Sequence, residues 1–141
     1  MPLPDSSDID AALIAKLSGD AQLKSLCPDG VFFDEGPPNL RNFVIVSLFY
    51  TADIATYGQR AIEDLLYVVK AITFGTSGAT VKPAAYRIDQ LLENQPLIVA
   101  GYGWMTTNRE QRVRYQEDDA IDPTIHWQHR GGHYRVQLSL P

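Results

Sequence analysis

The stretch Asn42–Tyr50, NFVIVSLFY, limits the possible fold more than any other part of the chain. It is dense in β-branched and aromatic residues, which suit a pleated strand and lose side-chain freedom in a helix. Successive strand side chains point to opposite faces. Here apolar residues occupy both alternations, Phe43 and Ile45 on one and Val44, Val46 and Leu48 on the other. A strand of that kind is central in its sheet and covered on both sides, so the rest of the chain has to provide the cover.

The chain has the means to do so. Its 141 residues correspond to about one domain, expected to span residues 1–141. At this length folding buries roughly 70% of the unfolded surface without staples. A composition that is 45% hydrophobic and 21% charged is globular rather than disordered. The formal net charge of −5 argues against nonspecific phosphate binding, which needs clustered Lys and Arg. The single cysteine, Cys27, cannot close an internal disulfide and suits a reducing compartment. The start, MPLPDSSDID, shows neither the basic nor the apolar region of a signal peptide. FVIVSLFY and LLYVVKAITF fall far short of the ~20 residues of a membrane helix. A soluble protein made inside a cell, with no membrane partner, is expected.

Around the central strand the pattern predicts an α+β fold. Ile9, Leu13 and Leu17 form one apolar stripe of a helix beginning near Ser7, with Ser6, Ser7 or Asp8 as its cap and Gly19 as its stop. Asp20 caps a short second helical turn. Val31–Phe33 is a short strand, and residues 34–42, with Gly36, Pro37 and Pro38, are a loop. Residues 51–59 read as a polar loop. Residues 61–74 fit either period, and their density of β-formers from Leu65 to Phe74 favours a strand. GTSGATVK reads as a loop and Pro83 as part of the first turn of a helix. That helix carries Ala84, Ala85, Ile88, Leu91 and Leu92 on one face and ends at Asn94–Pro96. Leu97–Thr106 reads as a strand, TTNRE as a turn, Gln111–Tyr115 as a strand and QEDDAIDP as an acidic loop. The predicted architecture is an antiparallel sheet with helices on one face and β-hairpins at the C-terminal end.

All three histidines lie in the last segment, TIHWQHRGGHYRVQLSLP. Gly131-Gly132 suits a two-residue hairpin turn, because primed turns need positive φ. With the turn there, Arg130 pairs with His133 and His129 with Tyr134. Ile125, Trp127, His129, Tyr134, Val136 and Leu138 then share an apolar face. His126, Gln128, Arg130, His133, Arg135 and Gln137 share a polar one. The register separates the imidazoles, and three ligands to one zinc have to converge within about 2.1 Å of the ion. No catalytic, cofactor-binding or metal-binding residue is therefore assigned, and no cofactor is expected.

Other reactive residue types also lack partners. Cys27 has no base beside it in the sequence, so packing outweighs nucleophilic use. Glu117, Asp118, Asp119 and Asp122 lack the alternating ligands and glycine of a calcium loop. Ser77 and Ser139 lack a nucleophile-elbow context. GTSGAT lacks the Gly-Lys-Ser/Thr that closes a phosphate loop. Arg109, Arg112, Arg114, Arg130 and Arg135 form a possible basic strip. In an acidic chain, salt bridges between subunits are its favoured use and nucleic acid the second.

The order of elements resembles the tail terminator, or tail completion, proteins of long-tailed bacteriophages. The resemblance is carried by ALIAKLSGDAQLKSL, NFVIVSLFY, LLYVVKAITFG and AAYRIDQLLENQPL, and most distinctively by VRYQE and HRGGHYRV. It implies a small α+β virion protein without catalytic residues, not an enzyme. Such subunits form a homohexameric ring that caps the tail tube and joins tail to head. Implied partners are other copies of the chain, the tail tube protein and a head–tail connector or stopper. Genomic DNA would pass through an acidic lumen without specific binding. The location would be the head-proximal end of the tail, after assembly in the host cytoplasm. A head-completion protein at the portal side is the alternative within the same class. A small metal-dependent enzyme using His126, His133 and the acidic loop is the alternative outside it.

Overall fold

A computed structural model describes residues 3–141; Met1 and Pro2 lie outside the described residues. The element order is α1 (Ser7–Ser18), α2 (Ala21–Leu26), β1 (Val31–Phe33), β2 (Asn42–Thr56), β3 (Gln59–Phe74), α3 (Val81–Leu92), β4 (Gly103–Asp118) and β5 (His126–Ser139). The strands form one sheet in the order β1-β2-β3-β5-β4. The β2–β3, β3–β5 and β4–β5 pairs are antiparallel, and β1 runs parallel to β2. This is the expected α+β class.

The helices lie on one face of the sheet. Ile9, Leu13 and Leu17 of α1, Leu23 of α2, and Ala84, Ile88 and Leu92 of α3 are buried against Val44, Val46, Tyr67, Val69, Tyr134, Val136 and Leu138. At α1 the expected cap is different. Ser6 donates its hydroxyl to Glu63 instead, and Asp5 accepts the Ser7 N–H at 3.0 Å. Asp20 caps α2 as expected, accepting from the Leu23 N–H at 2.9 Å. Asn94, at φ 54, sits just past α3 in the left-handed conformation common at helix ends.

Four expectations are corrected. Residues 51–59 are not a loop. β2 runs on to Thr56 and turns back through Tyr57-Gly58, whose φ values of 51 and 78 match a two-residue primed turn. The resulting arm is exposed almost throughout its β2 half. Ladder bonds to β3 hold it in place of burial, which is why its polar sequence reads as a loop. TTNRE is not a turn but lies within β4, where bulges at Met105 and Glu110 absorb the extra residues. Leu97 and Val99 are buried in a loop that precedes β4, rather than in a strand.

Gly131-Gly132 is the fourth. Both lie in the middle of one unbroken strand, with Gly132 opposite Val69 of β3 and Arg112 of β4. The glycines serve close approach. A Cβ on Gly131 would stand 2.0 Å from the Val69 carbonyl oxygen. The C-terminal hairpin is therefore β4–β5, and residues 119–125 make its connection.

Candidate functional site

With β5 unbroken, simple alternation distributes the histidines. His126 joins Tyr134, Val136 and Leu138 on the face that carries the helices. His129 and His133 project together from the opposite, open face. The hairpin register had instead joined His126 with His133. The three rings have separate surroundings. His126 Nδ1 lies 2.7 Å from Asp118 Oδ1, across the β4–β5 pair. His129 is 6% exposed and stacks on Tyr115, with centroids 4.3 Å apart and planes 14° from parallel. Its Nε2 is 3.7 Å from Glu117, too long for a hydrogen bond, and neither ring nitrogen has a partner. Burial lowers its pKa, and the nearby Lys70 ammonium lowers it further. His129 is thus a neutral ring at neutral pH. His133 meets the edge of Phe49 at 5.1 Å. Among the described residues no group of three or more His, Cys, Asp or Glu side chains is placed to hold a metal ion.

The remaining reactive groups are absorbed locally. Cys27 is 2% exposed, and burial pushes its thiol up to about 12. Asp119 accepts the Ile121 and Asp122 N–H groups, and Asp122 accepts from the backbone and hydroxyl of Thr124. These bonds hold both carboxylates below the usual range and fix the loop. Ser77 accepts the Ala79 N–H ahead of α3, and Ser139 donates to the Gly103 carbonyl. The five arginines do not form one strip. Arg135 is on the open face, held by both oxygens of Asp64 at 2.8 Å and by Glu110. Arg109 lies 3.4 Å from Asp89. Arg112, Arg114 and Arg130 remain together on the helix-bearing face, Arg112 and Arg130 beside α3 and Arg114 opposite Arg130.

The sequence reading put helices on one face of the sheet yet took Asn42–Tyr50 as covered on both sides, and so did not locate the exposed surface. NFVIVSLFY does have apolar residues on both sides, but only one side is covered by helices. On the other, the loop 34–41 shelters part of the surface near Phe43, Ile72 and Trp127. Trp127 meets the edges of Phe74 at 5.4 Å and Phe43 at 6.4 Å, and the Arg41 guanidinium sits 4.7 Å over Phe74. Toward the arm the cover ends. Phe49 is 66% exposed and Tyr50 51%. Ile54 and Tyr57 extend this apolar exposure along the arm. The available signal was the run of apolar residues at both alternations of β2, in a chain with too few helices to cover two faces. Contiguous exposed apolar surface of this kind marks an interaction site more often than a catalytic one.

No protein-family model and no curated protein matches the sequence. Solved structures do match in fold. A chain from the virion of a native gene transfer agent particle superposes with a TM-score of 0.67 at 21% identity, over 92% of each chain. The fold is that of a virion-particle chain. A second solved structure superposes with a TM-score of 0.57 at 14% identity, covering 97% of this chain and 96% of the other. In both, agreement runs through nearly the whole chain, so the likeness covers the sheet and helices together. No described helix is long and apolar enough to cross a membrane.

Proposed function

We propose that this chain is a structural subunit of a phage-like virion. In this reading it is a single tail-terminator-like domain that assembles as a ring, of six copies, on the head-proximal end of the tail tube and forms the joint with the head connector. The observation that carries the reading is the fold shared over 92% of both chains with a component of a gene transfer agent virion. The order of sequence elements that resembles tail terminators supports the finer assignment. The surface supports it physically. An open sheet face and a projecting arm with Phe49, Tyr50, Ile54 and Tyr57 exposed suit docking onto protein neighbours. The role is mechanical, and no residue is assigned to chemistry.

Purified tail tubes and purified portal rings, each incubated with the protein and sedimented, test the assignment. A tail terminator co-sediments with tubes. Retention on portal rings alone would instead place the chain at the head-completion step. Retention on neither would refute the head–tail joint.

A further inference from the structure

Three arginines stand apart from the rest. Arg60, Arg87, Arg109 and Arg135 each have a carboxylate between 2.6 and 3.8 Å away. Arg41 covers the Phe74 ring. Arg112, Arg114 and Arg130 have no ion pair among the described residues, and Arg114 is directly opposite Arg130 in the β4–β5 register. Like charges directly opposed across two strands destabilise a sheet. Burial, then Arg114 and Arg112, lower the pKa of the Arg130 guanidinium, the signature of a crowded cation. Lys82 and Tyr86 of α3 complete a groove over Arg112 and Arg130, and Arg114 adjoins it opposite Arg130. Asp89 also lines the groove, but Arg109 and the Tyr134 hydroxyl already engage it. The monomer contains an unrelieved positive cluster in a chain whose net charge is −5.

The opposite edge of the sheet carries the complement. Asp34 and Glu35 follow β1, are exposed, and have no cation partner among the described residues. Their height along the strands is fixed by hydrogen bonding. The Asp34 N–H donates to the Val46 carbonyl at 2.8 Å. Val46 pairs with Val69, Val69 with Gly132, and Gly132 with Arg112. The acidic pair and the arginine cluster therefore stand at one level on the two edges of the sheet. Copies related by rotation about an axis along the strands would bring them together without any shift. A head-to-tail contact without a shift along the axis closes into a ring when its rotation is a whole fraction of a turn, and closure satisfies both patches on every subunit.

We propose that the groove of Arg112, Arg114 and Arg130 on one subunit receives the Asp34–Glu35 segment of the next. This rests on the ring-forming reading above and names its contact. Phosphate of DNA is the competing occupant, and the acidity of the chain as a whole opposes the approach of a polyanion.

Charge reversal tests the contact. Arg112→Glu/Arg114→Glu and Asp34→Arg/Glu35→Arg change exposed side chains, the second with some backbone strain because Asp34 is at φ 66, and circular dichroism confirms that each variant is folded. Self-association is measured by sedimentation velocity and native mass spectrometry up to about 1 mM, near the weakest affinity of interest. The expected result is that either variant alone associates roughly tenfold or more weakly than wild type. An equimolar mixture of the two restores wild-type association, because each acidic groove then meets a basic flank and each basic groove an acidic one. Association that is unchanged in both variants overturns the contact and leaves the ring standing. A wild-type chain that stays monomeric throughout overturns both. DNA retention at low salt that is lost in Arg112→Glu/Arg114→Glu, with association unchanged, makes the groove a phosphate site and also overturns the contact.

Discussion

Gly131→Ala is the sharpest probe of how the sheet is built. If Gly131 occupied a hairpin turn, as its sequence context suggests, a small side chain there would disturb only the loop. In the strand it strikes backbone. The new methyl would lie 2.0 Å from the Val69 carbonyl oxygen and 2.5 Å from the Lys70 Cα. An unstrained C···O approach is about 3.3 Å, so β5 has to retreat from β3 by more than 1 Å at the centre of the sheet. A shift of that size takes ladder bonds from about 2.9 Å past the distance at which they hold. Losing two or three of them, at roughly 1 kcal/mol net each, together with disturbed packing around the buried Tyr134, amounts to about 3–4 kcal/mol. Gly132→Ala is the internal control. Its methyl would meet the Arg109 Cγ and Cδ at 2.9 and 2.8 Å, the flexible part of an exposed side chain, and the Gln111 carbonyl at 3.0 Å. That contact relaxes for about 1 kcal/mol. Urea denaturation followed by circular dichroism should show the Gly131→Ala midpoint roughly 1–2 M below wild type and the Gly132→Ala midpoint close to it. Equal midpoints for the two variants would refute the close-approach argument.

Three further substitutions read other parts of the structure. Tyr57→Asn should stabilise the protein by about 0.5–1 kcal/mol in thermal melts, because Asn tolerates the φ of 51 better and the 105%-exposed tyrosine gives up no packing. Tyr134→Phe should cost about 1–2 kcal/mol in the same denaturation assay, since it removes a buried hydroxyl that donates to Asp89 at 2.8 Å. Cys27→Ala should flatten the alkaline limb of stability. The folded thiol is raised to about 12, above its unfolded value, so its contribution is complete below the unfolded pKa and is lost as pH rises from 9.0 toward 12. Wild type should lose up to about 1.4 kcal/mol per pH unit more than the alanine variant across that window; parallel profiles would show that Cys27 does not titrate with unfolding.

What could be read from the sequence follows from where burial supplies the pattern. α1, with Ile9, Leu13 and Leu17 at helical spacing, and α3, with Ala84, Ile88 and Leu92, each bury one stripe, and both were legible. β3 was legible despite an apolar pattern that fits both periods, because its β-formers continue to Phe74. The arm and β4 were not. Few of the side chains of residues 51–60 and 108–118 enter the core, so hydrophobic period carries no information there, and backbone pairing alone makes them strands. Gly131 misled for another reason. A glycine pair is ambiguous between a turn and a close approach, and only the position of Val69 distinguishes them. The interaction surface was half legible. The two-sided apolar run of β2 was visible, but which side the helices would cover depended on the register of the whole sheet.

The features that break local rules share one property: none contributes to the layer between helices and sheet. Arg114 faces Arg130, His129 is buried with both nitrogens unpartnered, and Phe49, Tyr50, Ile54 and Tyr57 are left to solvent. The residues that do form that layer obey the rules closely. Tyr67 and Tyr134, the two largest fully buried side chains, donate to Asp10 and Asp89, and the aliphatic residues around them form one cluster. A sequence free to optimise the monomer alone would replace the opposed arginines and exposed aromatics at little cost to the core, because they do not touch it. Their position on the edges, the open face and the arm is where contacts with other subunits would relieve them. In the proposed ring, stability comes from the helix layer, and assembly from the edges, the open face and the arm. Substitutions in the helix layer should shift the unfolding midpoint, and substitutions at Arg112, Arg114, Glu35 or Phe49 should shift association while leaving that midpoint within about 0.5 kcal/mol of wild type.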